Sequence, residues 1–395
     1  MTMLGWLFQS ECNAMGHIKN LLRHFDKYRR RHTKIMDGWL LRWLSHFSKI
    51  ESQPLEEGQV KQILLMRTNK RIGNMLFLIP FLRMLKKRYP HAEIDLLVHA
   101  AWQNPLFAGL GIRQIYHTNL TGKGRLPRAI RVIRDLRRQH YDLLLMPYSS
   151  STDTLLAAFI HGRNKKARHF GKRHLIFKHS MTVAKRQCHA AFAALPLIDA
   201  KPDIHCHQLQ LSPAEIAAGR QQAKLLRGDF TGPVVAYFRG ARGNKALDDK
   251  DWQRLLERTE KHGQIKWIEL TCADISAPLH PHSQTFSCPD LRQLAATLAA
   301  LDGFISADTG PLHLADAAGA RCYGLFNHTD PIIFGCIGEH SLNIELKDGI
   351  DLAASEIGSD IFNKTILTAE KANITTLEIK KVNIPLMPVT NVHTA

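Results

Sequence analysis

The stretch Phe304-Ile-Ser-Ala-Asp-Thr-Gly-Pro-Leu-His-Leu-Ala-Asp-Ala-Ala-Gly319 decides how the rest of the chain is read. An apolar run stops at Asp308-Thr309-Gly310, and small helix-compatible residues follow from Pro311. Strand, tight turn and helix N-terminus in that order make an α/β unit. The first N–H groups of such a helix have no partner inside it, and the helix dipole adds partial positive charge. Gly310 admits a close approach of the backbone, Thr309 offers a hydroxyl, and Pro311 suits the first turn. An anion fits there, above all a phosphate or pyrophosphate. The same letters also spell an ordinary strand–helix corner with an Asp or Thr cap.

Working outward, two further stretches have related grammar. Arg67-Thr-Asn-Lys-Arg-Ile-Gly73-Asn74 follows the strand-like residues 63–66 and leads into a helical pattern over 75–88, closed by Tyr89-Pro90. Val234-Val-Ala-Tyr-Phe-Arg-Gly-Ala-Arg-Gly-Asn-Lys245 is again an apolar strand running into a glycine-rich, basic loop. Between and around them, apolar runs alternate with helical periods. Strands are expected at 63–66, 94–98, 114–117 and 141–146, with helices at 75–88, 126–139 and 152–161. A second series places strands at 234–238, 265–270, 303–307 and 321–326, with helices at 248–261, 290–301 and 311–319. Continuous apolar strands alternating with helices imply parallel sheets covered on both faces. Residues 171–208 are basic and rich in His without a firm period.

The chain has 395 residues, enough for two domain-sized cores. A net charge of +18 asks for an anionic partner: phosphorylated substrates, an acidic membrane surface or nucleic acid. No nucleic-acid motif accompanies the charge, so nucleic acid is the weakest of the three. Seven cysteines lie scattered with no CxxC pair, which fits reduced thiols better than a disulfide framework or zinc module. The longest apolar stretch, residues 75–82, is too short to span a bilayer, and no cationic region precedes the first apolar residues as in a signal peptide. His205-Cys206-His207 invites a metal reading, but no further ligand stands near it in the sequence, and no metal is expected.

Taken together and in this order, the three stretches resemble the ADP-heptose:lipopolysaccharide heptosyltransferases, glycosyltransferase family nine, over roughly residues 60–340. The block from Ser306 through Thr329-Asp330-Pro331 carries much of the likeness. The resemblance implies an α/β GT-B architecture, two Rossmann-like parallel-sheet domains facing across a cleft. It implies a domain division at 59–210 and 211–345, with a tail at 346–395 containing helices near 351–358 and 366–373 that return to the first domain. The implied reaction moves heptose from ADP-heptose to the lipopolysaccharide inner core with inversion, without metal or cofactor. Thr309 and Gly310 match the diphosphate-binding turn, flanked by Asp308 and His313, and Lys245 matches a lysine on the donor phosphates. Gly73, with Arg67, Lys70 and Arg71, falls on the acceptor side. Arg239 and Arg242 add positive potential at the donor side. Well-known members carry Gly-Asp where this chain has Gly73-Asn74, and that Asp is their expected general base. An amide does not take a proton at neutral pH. Another carboxylate such as Asp153 or Asp248, a substrate phosphate, or a binding role without catalysis are the alternatives. A transferase of another nucleotide sugar is a further alternative.

Residues 1–58 form a basic helical extension. Ile35, Met36, Trp39, Leu40, Trp43, Leu44 and Phe47 recur at helical spacing, as do Ile18, Leu21, Leu22 and Phe25. From His17 to Lys49 nine Lys or Arg face two Asp. Such a helix suits the anionic inner face of the cytoplasmic membrane, and packing on the protein's own core is the competing expectation.

Overall fold

The computed structural model describes Trp39, residues 41–46, Ser48, and residues 53–119, 125–148, 150–168, 174–179, 188–272, 275, 278–279 and 283–371. Residues 125–126 and 364–371 are described as backbone only. The stripe positions Ile35, Met36, Leu40 and Phe47, the set at Ile18–Phe25 and the chain beyond 371 lie outside the described residues.

The first sheet contains β1 (Gln62–Arg67), β2 (Glu93–Val98), β3 (Ile112–His117), β4 (Tyr141–Met146) and β5 (Gly162–Ala167), in spatial order β3-β2-β1-β4-β5. Every pairing is parallel. Five of the six residues of β1 are fully buried, as its unbroken apolar run requires of a strand covered on both faces. The run predicted as one helix over 75–88 is two: α1 (Ile72–Leu76) and α2 (Ile79–Arg88). Pro80 explains the break, since it has no N–H to donate to Leu76 and suits only a first turn, here that of α2. α3 (Arg125–Arg138) and α4 (Ser151–Phe159) complete the domain.

Of the segment without a firm period, 171–208, residues 188–208 are built of turns and short 3-10 helices at Leu195–Ile198 and Ile204–His207. It buries Phe192, Leu195, Leu197 and Ile198 in the core of the first domain. After it come α5 (Pro213–Arg227) and the second sheet: β6 (Val234–Phe238), β7 (Lys266–Leu270), β8 (Gln284–Phe286), β9 (Gly303–Ala307), β10 (Cys322–Phe326) and β11 (Leu342–Glu345). Their order is β11-β10-β9-β6-β7-β8, again parallel throughout. Helices α6 (Asp249–Thr259), α7 (Leu291–Ala299), α8 (Gly310–Ala317) and α9 (Pro331–Phe334) connect them. Asp248, Asp290, Thr309 and Asp330 start these four helices as N-caps, each accepting a backbone N–H.

The tail forms one helix, α10 (Ile350–Lys371), in place of two. Ala353, Ala354, Ile357 and Ile361 pack on the second domain beside Trp252 and Trp267. Asp360 accepts hydrogen bonds from Tyr323 and Arg321 of that same domain.

In the extension, residues 41–45 are helical. The expected single stripe divides: Leu41 and Leu44 are buried against the first sheet, whereas Trp39 and Trp43 are 80% and 58% exposed. Positions 41 and 44 share one side of a helix and 39 and 43 the opposite flank, so Leu41 and Leu44 pack on the protein's own core and Trp39 and Trp43 stay outside it.

Candidate active site

Asp308 ends β9 on the turn into α8, and Thr309 caps that helix by accepting the Leu312 N–H at 3.4 Å. The Thr309 hydroxyl also pairs with Ser306 Oγ at 2.8 Å, which fixes its rotamer. Three groups converge on the Asp308 carboxylate. His313 Nε2 lies 3.0 Å from Oδ1, Thr329 Oγ1 donates to Oδ2 at 2.9 Å, and the Lys245 ammonium forms an ion pair with the same oxygen. Burial raises the pKa of this carboxyl, but the His313 and Lys245 contacts outweigh it and hold the group down at about 2. A charged acid, an ammonium and a helix N-terminus thus share one spot. A diphosphate arriving there offers Lys245 an anionic partner in exchange for Asp308, and offers the Gly310 N–H at the start of α8 an acceptor.

The glycine turn of the first domain meets this spot directly. A Cβ on Gly73 would stand 2.8 Å from His313 Cδ2, and one on Gly310 would stand 3.1 Å from Ile72 Cβ. Glycine therefore suits the close approach at both places, more strictly at 73 than at 310. The sequence-predicted residues Lys245, Asp308, Thr309, Gly310, His313 and Gly73 are brought together, and the half-buried Asn74 follows Gly73 on α1.

Of the cations expected on the acceptor side, Lys70 and Arg71 are exposed on the loop. Arg67 is turned inward, 8% exposed, with its guanidinium 4.3 Å over the Tyr148 ring and no hydrogen bond at Nε. Burial lowers its pKa, and the neighbouring Tyr148 and Asp153 oppose that. Asp153 is fully buried and accepts the Thr68 hydroxyl and N–H, so it braces the acceptor loop and does not face solvent as a base. Asp248 caps α6 through Asp251 N at 2.8 Å. Arg239 binds the buried Glu269 at 2.5 Å and Asp249 at 3.1 Å, whereas Arg242 is exposed. Asp153 is thus enclosed, while Asp248 is exposed at the start of α6.

Thr329, Tyr148 and Ser306 have site contacts that residue-type patterns do not single out. They act through position in the fold, not through a charge visible in the sequence. The HisCysHis motif lies on a 3-10 helix and not on a strand, which separates its imidazoles. His205 is 3.6 Å from Glu339, while His207 is buried with Nε2 4.0 Å from Asp316. Asp316 itself accepts Ile337 N, Gly338 N and Ser341 Oγ, fastening the loop after α9.

A pair of parallel-sheet domains, with the second presenting a lysine and a helix N-terminus to an anionic leaving group across from a polar turn of the first, is the design of the GT-B glycosyltransferases. The family model for glycosyltransferase family 9 (heptosyltransferase) matches residues 129–350, and the chain belongs to that family. It is a glycosyltransferase. Among solved structures, the chain resembles Escherichia coli ADP-heptose lipopolysaccharide heptosyltransferase II, with TM-score 0.62 and 15% identity over 77% of this chain and 99% of that one. A glycosyltransferase family 9 protein from Veillonella parvula gives TM-score 0.61 and 16% identity, covering 79% and 96%. Escherichia coli heptosyltransferase WaaC with ADP gives 0.57 and 15%, covering 78% and 99%. No curated protein sequence matches the chain.

Proposed function

We propose that the protein transfers heptose from ADP-heptose to a hydroxyl of the lipopolysaccharide inner core, with inversion, at the inner face of the cytoplasmic membrane. The convergence of Lys245, His313 and Thr329 on Asp308 at the start of α8 supports this most directly. In the step, the acceptor oxygen attacks the anomeric carbon, the bond from that carbon to the diphosphate breaks, and ADP leaves with its charge met by Lys245 and the α8 N-terminus. Asp308 and Thr329 hold Lys245 and the turn in register, while Lys70 and Arg71 meet the carboxylates or phosphates of the acceptor. No metal or cofactor enters the reading. With Asp153 enclosed and holding Thr68, the hydroxyl proton passes to a substrate phosphate, with Asn74 orienting the acceptor oxygen.

Asn74 also favours a second reading, in which the chain binds core or sugar nucleotide without turning it over. A transferase of the same family acting with another nucleotide sugar is the nearest alternative. ADP release from ADP-heptose with a heptose-deficient, deacylated core separates them, run for wild type beside Lys245→Ala and Asn74→Asp. We expect turnover by wild type and a loss of about a hundredfold or more in Lys245→Ala. Turnover by Asn74→Asp alone would make the natural chain a binding protein. Turnover only with a different nucleotide sugar would overturn the heptose assignment.

A further inference from the structure

The alternation of side chains along the first sheet separates its two faces. Ile63, Leu65, Leu143 and Leu145 belong to the core shared with the second domain. Leu64, Met66, Leu144 and Met146 face the other way, under α3, α4 and the helical residues 41–45. The three covering elements bury apolar residues below them, Leu41 and Leu44 from the extension, Leu136 from α3 and Leu156 from α4. What they leave outside is unusual. Trp39 is 80% exposed, Trp43 58% and Ile130 of α3 65%. Around Ile130, α3 holds six arginines against the single Asp135, with Arg131, Arg134, Arg137 and Arg138 exposed.

The tryptophans are held in place and do not hang from a tail. Leu41 and Leu44 fix their helix to the sheet, and three residues after its last turn Lys165 Nζ donates to the buried Ser48 Oγ at 2.7 Å. Apolar rings with an amphipathic edge, and arginines on a helix over the same face of the sheet, match the boundary between headgroups and acyl chains. Tryptophan favours that layer, and guanidinium groups pair with lipid phosphates. A protein partner matched to this face would need acidic groups interleaved with apolar pockets, whereas an anionic bilayer supplies both everywhere. α4 links the face to the site, since the same helix carries the partly exposed Leu155 and Phe159 and the Asp153 that braces the acceptor loop.

We infer that this face, formed by Trp39, Trp43, Ile130 and the arginines of α3, is where the protein lands on an anionic lipid bilayer. The inference rests on the reading of a membrane-borne acceptor and assigns that reading a surface. The landing sets α4, and with it the acceptor loop at Thr68, next to the headgroups from which a core oligosaccharide rises.

Co-sedimentation of the full chain with phosphatidylethanolamine–phosphatidylglycerol vesicles, beside phosphatidylcholine vesicles, tests it. Wild type should bind the anionic vesicles and leave the zwitterionic ones. Trp39→Ser with Trp43→Ser, and separately Arg131→Glu with Arg134→Glu, should each weaken binding by about tenfold or more. Wild type that ignores anionic vesicles, or variants that bind as wild type does, would overturn the landing face. So would a wild-type dimer in light scattering that the tryptophan substitutions dissociate, since a second copy would then cover it. Transfer to a deacylated, water-soluble acceptor should be unchanged in both variants. Absence of that transfer in wild type, with vesicle binding intact, would count against the proposed reaction and leave the landing face standing.

Discussion

Lys165 brings a charge into a place with no counter-charge among the described residues. Its side chain is fully buried on the edge strand β5, and its ammonium donates to Ser48 Oγ and Ala157 O, each at 2.7 Å. Burial pulls its pKa down to about 7 from an ordinary 10.5. Between those values the unfolded chain binds the proton that the folded chain has released, so stability rises with pH across that window. Below about 7 both states are protonated and the burial cost is fully felt. Lys165→Met should therefore stabilise the protein at neutral pH by on the order of a few kcal/mol and flatten the slope. Urea midpoints for the two proteins on the neutral and alkaline sides of that window check it, and parallel slopes would rule the account out. Asp308 gives a slope of the same sign, but there the charged form is the stabilising one. Its pKa is depressed, so its contribution is complete above the ordinary carboxylate range and is lost only as pH falls through about 2.

At the scale of elements, α8 is where fold and chemistry coincide. It contributes Leu312 and Ala315 to one core and Leu314 and Ala317 to the other, so it is apolar nearly all round, and only its first turn is free for a ligand. Thr309→Ala removes the cap and should cost about 1 kcal/mol in chemical denaturation, with weaker donor binding, while Thr309→Ser keeps most of both. Equal donor affinity in Thr309→Ala would mean that the turn is structural only. This element is plain in the sequence because its strand, turn and helix occur as one uninterrupted phrase. Others are hidden for identifiable reasons. β5 spells Gly-Arg-Asn-Lys-Lys-Ala, and its burial depends on Lys165 finding two acceptors that no local pattern foretells. α5 is announced by Ser212-Pro213-Ala-Glu215, a capping box, but its thin apolar side, Gly219, Ala223 and Leu226, has little period to detect. In the site, Lys245 and Asp308 are 63 residues apart, and the Thr329 and Gly73 contacts arise only when parallel strands align their ends.

For the whole molecule, the joint between domains is the deciding feature. Arg292 of α7 is 9% exposed and binds Glu215 through Nε at 2.5 Å, Pro105 O through Nη1 at 3.0 Å and Gln210 O through Nη2 at 2.5 Å. One guanidinium thus ties the first domain, the connecting segment and the second domain. Arg292→Met strands these acceptors and should cost roughly 2–4 kcal/mol, broadening or splitting a single calorimetric transition. An unchanged transition would show that the domains do not depend on it. Arg292→Lys should recover only part, since an ammonium cannot serve three directions in a plane. Nearby, His189 donates Nε2–H to Gly335 O at 2.9 Å and accepts Ala191 N–H at Nδ1, and burial keeps it neutral by lowering its pKa to about 4. The apolar core of the first sheet continues without a gap through Phe192 and Leu195 to Leu314 and Ala317 of α8. Parting the halves like jaws would wet that seam at about 25 cal/mol for each Å². Swinging Lys245 away from Asp308 breaks one ion pair that an incoming phosphate replaces. The ion pair is thus the latch of the site, and the apolar seam is what holds the frame around it.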